Sequence, residues 1–301
     1  MAQPAMVHFP VLLEDLQKRL KYRRDATLAD TTVGQGGHAL GLAEKLSEQG
    51  RLIGLDVDTE SLAAAGKRLG QLCCRVDLIR ENFSRLDEAL NGLGLARVDV
   101  ILADLGLNSA QLAQAERGFS FQADGPLDMR FDDRLESTGG ELVNKLPEAK
   151  LAELIWRYGE ERHNRRIARA IVAARRGKPL ERTLQLAAVI NKALGITDKG
   201  RKSKIHPATR TFQALRIAVN DELGNLDRLL KISPRLLNKD GQVAIISYHS
   251  LEDRLVKQNF REYQKEGVFE VLTPKPIRAG EKERSQNPRS RSAKLRMAIR
   301  I

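Results

Sequence analysis

A chain of 301 residues with 42% hydrophobic and 30% charged residues has material for one large domain or two, and is neither a disordered tail nor a collagen-like fibre. The 51 Lys and Arg against 39 Asp and Glu leave a net charge of +12. Such an excess favours a polyanionic partner, because neutralising phosphates releases their condensed counterions, while aromatic residues at 4% argue against a surface built mainly on base stacking.

The elements predicted along the first hundred residues alternate in type. Ala26–Val33 reads as a strand ending in glycines, followed by helical pattern from about His38 to Gln49. Arg51–Leu55 is a second strand ending at Asp56, Thr59–Leu69 a helix, Arg75–Ile79 a third strand, Ser84–Leu93 a helix, and Val98–Ala103 a fourth strand ending at Asp104. This rhythm predicts a parallel, doubly wound α/β sheet. It then breaks. From Leu107 to about His206 no strand is expected. Gly118–Asp133 reads as a structured loop, and helices carry Leu151, Leu154, Ile155 and Tyr158 on one apolar face and Ile167, Ala170, Ile171 and Ala174 on another. Leu184–Leu194 is a third helix, and Lys199–Lys204 a short basic loop.

The α/β pattern resumes with one helix from Pro207 to about Leu230 and an apolar strand at Gln242–Ser247. Ser250 and Asp253 bracket a capping-box pattern that opens the next helix. Val268–Leu272 and Leu295–Ile301 close the sheet, with a loop expected over Arg278–Arg291. The domain reading is therefore a core of residues 1–106 plus 207–301, interrupted by a helical insert of residues 107–206. No run approaches the ~18 apolar residues of a membrane span. No charged start followed by an apolar stretch and a small-residue cleavage site marks export. Cys73 and Cys74 are neighbours, which ordinary disulfide geometry does not suit, and the five histidines show no zinc-ligand spacing. The expectation is a cytoplasmic protein with no structural metal and no membrane partner.

Chemistry concentrates at the predicted strand ends, where open α/β sheets bind ligands. After the first strand come Gly34, Gly36, Gly37 and His38, where backbone can approach a ligand that a side chain would hold off. Asp56 ends the next strand 22 residues after Gly34, a carboxylate suited to both hydroxyls of a ribose. On spacing alone a nicotinamide dinucleotide and S-adenosylmethionine are hard to separate, although a third glycine of the dinucleotide pattern is missing. Asn82 and Phe83 follow the third strand, where an adenine could be stacked and read. Asp104, ending the fourth, points at the reacting end of such a cofactor. In the insert, Arg162, Arg165, Arg166 and Arg169 share a helix face that Arg176 continues, a candidate phosphate-binding stripe.

Eight runs appear in order: Asp30–His38, Asp104–Gln111, Glu116–Phe121, Gly125–Arg130, Tyr158–Arg162, His206–Arg216, His249–Arg254 and Asn287–Arg296. Together the chain resembles the MraW (RsmH) family of S-adenosylmethionine-dependent methyltransferases, which act on the 4-amino group of a cytosine in small-subunit ribosomal RNA. The resemblance covers about Val7 to Ile301. It implies a Rossmann-like class I methyltransferase sheet with an inserted helical substrate-recognition domain. It also implies cofactor contacts at Gly36, Gly37, His38, Asp56, Phe83, Asp104 and Gln111. Asp104 is the first candidate acceptor for the target amino group, with Ser247 and His249 second. The partner implied is small-subunit ribosomal RNA within a ribosomal particle, and a homodimer is left open. Thr31 stands where the family commonly has a small residue, Asn108 and Ala110 where it commonly has Ser and Pro, and Tyr248 replaces a usual Phe. Two other readings stand beside this one. A nicotinamide oxidoreductase shares the fold, against which the missing glycine and the basic insert speak. A non-catalytic RNA-binding assembly factor would need neither the intact Gly34–His38 loop nor Asp56.

Overall fold

The computed structural model describes residues 10–107, 109–196 and 206–301, and they form two compact units, residues 1–106 with 223–301 and residues 107–222. The first unit is built on a seven-stranded sheet in the order β3-β2-β1-β4-β5-β7-β6. Its strands are β1 (Thr27–Asp30), β2 (Arg51–Asp56), β3 (Arg75–Arg80), β4 (Val98–Asp104), β5 (Leu237–Ser247), β6 (Phe269–Val271) and β7 (Lys294–Arg300). Neighbours among β1 to β5 pair in parallel, and β7 runs antiparallel to both β5 and β6. This is the doubly wound, Rossmann-like sheet expected. The strand order reverses between β1 and β4, which leaves a crevice beyond their carboxyl ends.

Side chains alternate along each strand, so both faces need cover. Leu28, Leu52, Val100, Leu102, Ala244 and Ile246 join one apolar cluster with residues of α1 (Leu13–Arg19), α2 (Gly37–Ala43) and α3 (Thr59–Leu69). Ala29, Ile53, Ile101, Ala103, Val243 and Ile245 join another with residues of α4 (Leu86–Gly92), α11 (Glu222–Leu236) and α12 (Ser250–Lys265). Burial on both faces is why these strands read as nearly continuous apolar runs. Buried Cys74 packs in the first cluster, whereas Cys73 is exposed. Among the described residues no helix is long and apolar enough to cross a membrane.

The second unit holds α5 (Ser109–Ala113), α6 (Gly139–Lys145), α7 (Glu148–Gly159), α8 (Asn164–Gly177), α9 (Thr183–Leu194) and α10 (Thr209–Asn220). Leu151 and Ile155, Ile167 and Ile171, Leu186 and Ile190, and Phe212 and Leu215 supply its core, one pair from each of α7 to α10. The single helix expected from Pro207 to Leu230 is two, α10 and α11. Asp221 between them adopts φ 45°, a left-handed conformation that no helix interior contains. The chain returns to the first unit at Leu223 rather than after His206, because α10 belongs to the helical core. The Lys199–Lys204 loop lies outside the described residues.

Two further readings need correction. Arg278–Arg291 is not a plain loop but contains α13 (Glu281–Gln286) and a 3-10 turn at Pro288–Arg291. Its Glu283 accepts the N–H of Leu12 at 2.8 Å, and so tethers the start of α1, a helix the periodicity did not announce. The capping box of α12 sits one residue earlier than expected. His249, not Ser250, is the N-cap, its side chain accepting from the Glu252 N–H while Glu252 reaches back to the cap backbone.

The loop of residues 118–133 is held without regular structure. Buried Asn220 donates to the Met129 carbonyl at 2.7 Å and accepts from the Phe131 N–H at 2.7 Å. Gly125 donates to Thr183 Oγ1 at 3.1 Å, and its carbonyl accepts the Thr183 N–H at 2.8 Å. The crossing is so close that a methyl group on Gly125 would lie 1.8 Å from the Ala115 carbonyl oxygen. Gly125→Ala is therefore expected to destabilise the protein by about 3 kcal/mol, since backbone on backbone has no soft neighbour to move. Gly177→Ala, which meets nothing within 4 Å, serves as the control. Thermal unfolding checks this, and equal midpoints for the two variants would show that the crossing yields freely.

Candidate active site

The loop between β1 and α2 is stitched to both neighbouring strands. Thr31 donates its N–H to the Leu102 carbonyl of β4 at 2.8 Å, and Val33 donates to the Leu55 carbonyl of β2 at 2.8 Å. Gly36 turns the chain into α2 with φ 79°, and a methyl group there would meet Leu69 Cγ at 3.2 Å. Asp56 fixes the loop from the side. One carboxylate oxygen accepts the Gly34 N–H at 2.8 Å and the other the Asp58 N–H at 2.9 Å. Asp56 thus shapes the glycine turn.

Three carboxylates close three adjacent strands: Asp56 on β2, Asp30 on β1 and Asp104 on β4. Asp30 is buried. One oxygen accepts the Thr32 N–H at 3.2 Å, and the other, Oδ2, is buried with no hydrogen-bond partner among the described residues. Burial pushes its pKa up to about 7, and the charges of Asp104 and Asp56 add to this while His38 opposes it. Burial likewise raises Asp56 to about 6 against the backbone N–H groups it accepts.

Asp104 is held from several sides. Its N–H donates to Thr32 Oγ1 at 2.6 Å. The Tyr248 hydroxyl donates to its Oδ1 at 2.7 Å, and its Oδ2 lies 3.5 Å from His38 Nδ1. The other ring nitrogen of His38 lies 2.8 Å from the Val11 carbonyl. A carbonyl only accepts, so that nitrogen carries hydrogen and Nδ1 is the edge turned to the acid. Burial, with the charge of Asp104, raises the Tyr248 phenol well above its usual range, so it stays a donor.

The remaining expected residues are placed as follows. Gly37 packs on Pro10, against which a methyl group would sit at 2.8 Å. Phe83 is half-buried against the α4 side of the sheet, and Asn82 accepts the Ser84 N–H. Ser247 is buried, with its hydroxyl 3.4 Å from the Lys294 carbonyl. His249 does the work of a helix cap, with Nδ1 accepting the Glu252 N–H at 3.4 Å. Gln111 is buried on α5 of the second unit. Arg165, Arg166 and Arg169 are exposed along α8, with Arg176 further on. Arg162 lies in the turn before that helix rather than on it. Arg169 has an acid nearby after all, Glu148 of α7 at 3.6 Å. Sequence reasoning included Asp30 and Thr32 in the run that leads into the glycine turn and noted Tyr248 as a departure from the family, but gave none of them a role. Asp30 could have been found, since it closes β1 as Asp104 closes β4.

The MraW methylase family pattern matches residues 5–301. The chain is 48% identical to ribosomal RNA small subunit methyltransferase H of Acidobacterium capsulatum over 97% of each protein. It is 45% identical to the protein of the same name from Syntrophobacter fumaroxidans, over 97% of this chain and 96% of that one. A solved rRNA methylase from Streptococcus thermophilus is 13% identical with a TM-score of 0.43 over 99% of both chains, too distant to add to the fold described above. On the match along nearly its whole length, the chain belongs to the MraW methylase family.

Proposed function

We propose that this protein transfers a methyl group from S-adenosylmethionine to the exocyclic 4-amino group of a cytidine in small-subunit ribosomal RNA. The observation that carries the reading is the row of acids at the carboxyl ends of β2, β1 and β4 around a glycine turn, in a chain of this family. S-adenosylmethionine bears a sulfonium and an ammonium, and a buried acid with an orphaned oxygen, Asp30 Oδ2, suits a cationic ligand. The residues fit the cofactor. Gly36, Gly37, His38, Asp56, Phe83 and Asp104 of the first unit would hold it, Asp56 through the ribose and Phe83 beside the adenine. Bound, it supplies an electrophilic methyl group on sulfur.

The chain's own residues then have two tasks. The cytosine amino lone pair is delocalised into the ring, so nitrogen and methyl must be held in near-attack geometry. The second task falls to Asp104, the acid at the carboxyl end of β4. There it accepts a hydrogen bond from the amino group, draws the lone pair out of the ring plane, and takes the proton the nitrogen loses. The place of Asp104 at the end of β4, the strand beside β1 and its glycine turn, supports it over Ser247 and His249, which follow from β5. Exposed Arg162, Arg165, Arg166 and Arg169, in a chain of charge +12, support a path for RNA phosphates along α8. The proposal extends to a ribosomal particle as substrate, to action in the cytoplasm, and to residues 1–106 and 223–301 as the cofactor unit with residues 107–222 as the RNA unit. A homodimer is compatible with it.

Asp104→Asn keeps shape and removes charge. Turnover is expected to fall by about 10², with a much smaller loss of S-adenosylmethionine affinity by calorimetry. Equal losses would reduce Asp104 to a cofactor ligand. Replacing both Arg165 and Arg169 by Ala is expected to weaken RNA binding and flatten its log–log salt dependence by about 0.7 per lost phosphate contact. Cofactor affinity should not change. An unaltered salt slope would make α8 an ordinary solvated face.

A further inference from the structure

We infer that Trp156 is a stacking platform for an unpaired base of the RNA, set among arginines of the second unit. The inference rests on the reading of that unit's basic face as a path for RNA, and it adds a contact with a base to contacts with phosphates. Trp156 is the chain's single tryptophan, and it stands 54% exposed on α7. The apolar side of that helix is built without it, since Leu151, Ala152 and Ile155 are the residues that enter the core of the unit. A large indole left in water gains by being covered, and its flat face suits another flat π system. One such ring fits a chain with 4% aromatic residues, whose RNA surface is mainly electrostatic.

The packing of α7 against α8 sets what lies beside the indole. Arg169 Nε of α8 comes 3.6 Å from Glu148 Oε1, and Asn164 Nδ2 at the start of α8 donates to the Ala152 carbonyl at 2.9 Å. The two helices are therefore antiparallel. Glu148, Ala152 and Trp156 are spaced four residues apart and share one row of α7. One turn on from Ala152, Trp156 comes level with the turn of residues 160–163, which holds exposed Arg162, and exposed Arg165 follows in the first turn of α8. Exposed Arg157 is its chain neighbour, with the guanidinium carbon 5.3 Å from the centre of the Tyr158 ring. The acids nearby are engaged. Glu153 faces Lys150 at 3.5 Å, and Glu160 has a partner of its own. Buried Glu161 accepts the His163 N–H at 2.9 Å and faces Arg210 at 3.8 Å. Arg157, Arg162 and Arg165 form no ion pair among the described residues. An aromatic face framed by cations holds single-stranded nucleic acid in two ways at once, the cations drawing the backbone and the ring taking a base. A neutral apolar partner would gain nothing from the arginines, and a second copy of this chain, at +12, would bring like charge to them.

The indole reports on itself, since no other tryptophan obscures its fluorescence. The full-length protein is titrated with oligocytidylate, either single-stranded or annealed to its complement. The single strand is expected to quench the fluorescence and shield the ring from acrylamide, and the duplex, whose bases are already stacked on one another, to do so only weakly. Trp156→Ala is expected to weaken binding of the single strand roughly tenfold, whereas Trp156→Phe keeps most of the affinity because a flat ring remains. The log–log salt slope should not change, since neither variant removes a charge. In methyl transfer, Trp156→Ala is expected to raise the KM for small-subunit particles. No quenching, equal quenching by duplex and single strand, or full affinity in Trp156→Ala would overturn the stacking assignment and leave the arginine path standing. A loss of affinity for particles with none for free RNA would set Trp156 against a protein of the particle, and would overturn it too. If replacing Arg165 and Arg169 by Ala leaves RNA affinity and its salt slope unaltered, the RNA path itself falls, and this inference with it.

Discussion

The burial of carboxylates at the end of the sheet governs this structure. Asp56, Asp30 and Asp104 end three neighbouring strands, so the pairing that builds the sheet also forces three acids together at its carboxyl edge. Burial disfavours the charged form of Asp30 and Asp56, and for Asp30 the charges of the other two add to it. The structure shows how this is managed. Asp56 takes two backbone N–H groups, Asp104 takes a phenol, and Asp30 keeps an oxygen with no partner among the described residues. Of the three, Asp30 is the one the described residues leave poorly satisfied, and a cation would satisfy it. On the proposed function, the positively charged methyl donor supplies that cation.

The strand ends were legible because an acid closing an apolar run of a βα repeat has one place to be. Asp56, Asp104 and the glycines after β1 were found that way. Partnerships across the sheet were not legible. Tyr248 lies 144 residues from Asp104, and only the parallel pairing of β4 with β5 brings its hydroxyl there. Asp30 carried the same signal as Asp104 and was passed over for the glycines beside it. The helix break at Asp221 left no mark, since a left-handed residue other than glycine is fixed by tertiary packing rather than by composition. The cap of α12 was misplaced by one residue because Ser250 is the commoner cap type and His249 the one whose ring accepts the Glu252 N–H.

The helical unit follows a different logic. Its core is apolar pairs at helical spacing, which the sequence displays openly. Its loops are fixed by single polar residues that pattern reading passes over. Asn220 holds the Met129 carbonyl and the Phe131 N–H, and Arg175 donates to the carbonyls of Val143 and Leu146 at 2.6 and 2.7 Å near the end of α6. Not every arginine of α8 is therefore available to a nucleic acid. Arg175 is structural, while Arg165 and Arg166 form no ion pair among the described residues and stand exposed. The distinction between these neighbours belongs to packing, not to residue type.

The central claim is that a chain with this acid-lined sheet edge methylates the 4-amino group of a cytidine in small-subunit RNA. The most direct measurement supplies the full-length protein with S-adenosylmethionine carrying an isotopically labelled methyl group, and with small-subunit particles from cells lacking this activity. The RNA is then digested to nucleosides and the label located by mass. The account predicts label in a cytidine methylated on its exocyclic nitrogen. Label on the ring carbon of cytosine, on another nucleoside, or on none would contradict it.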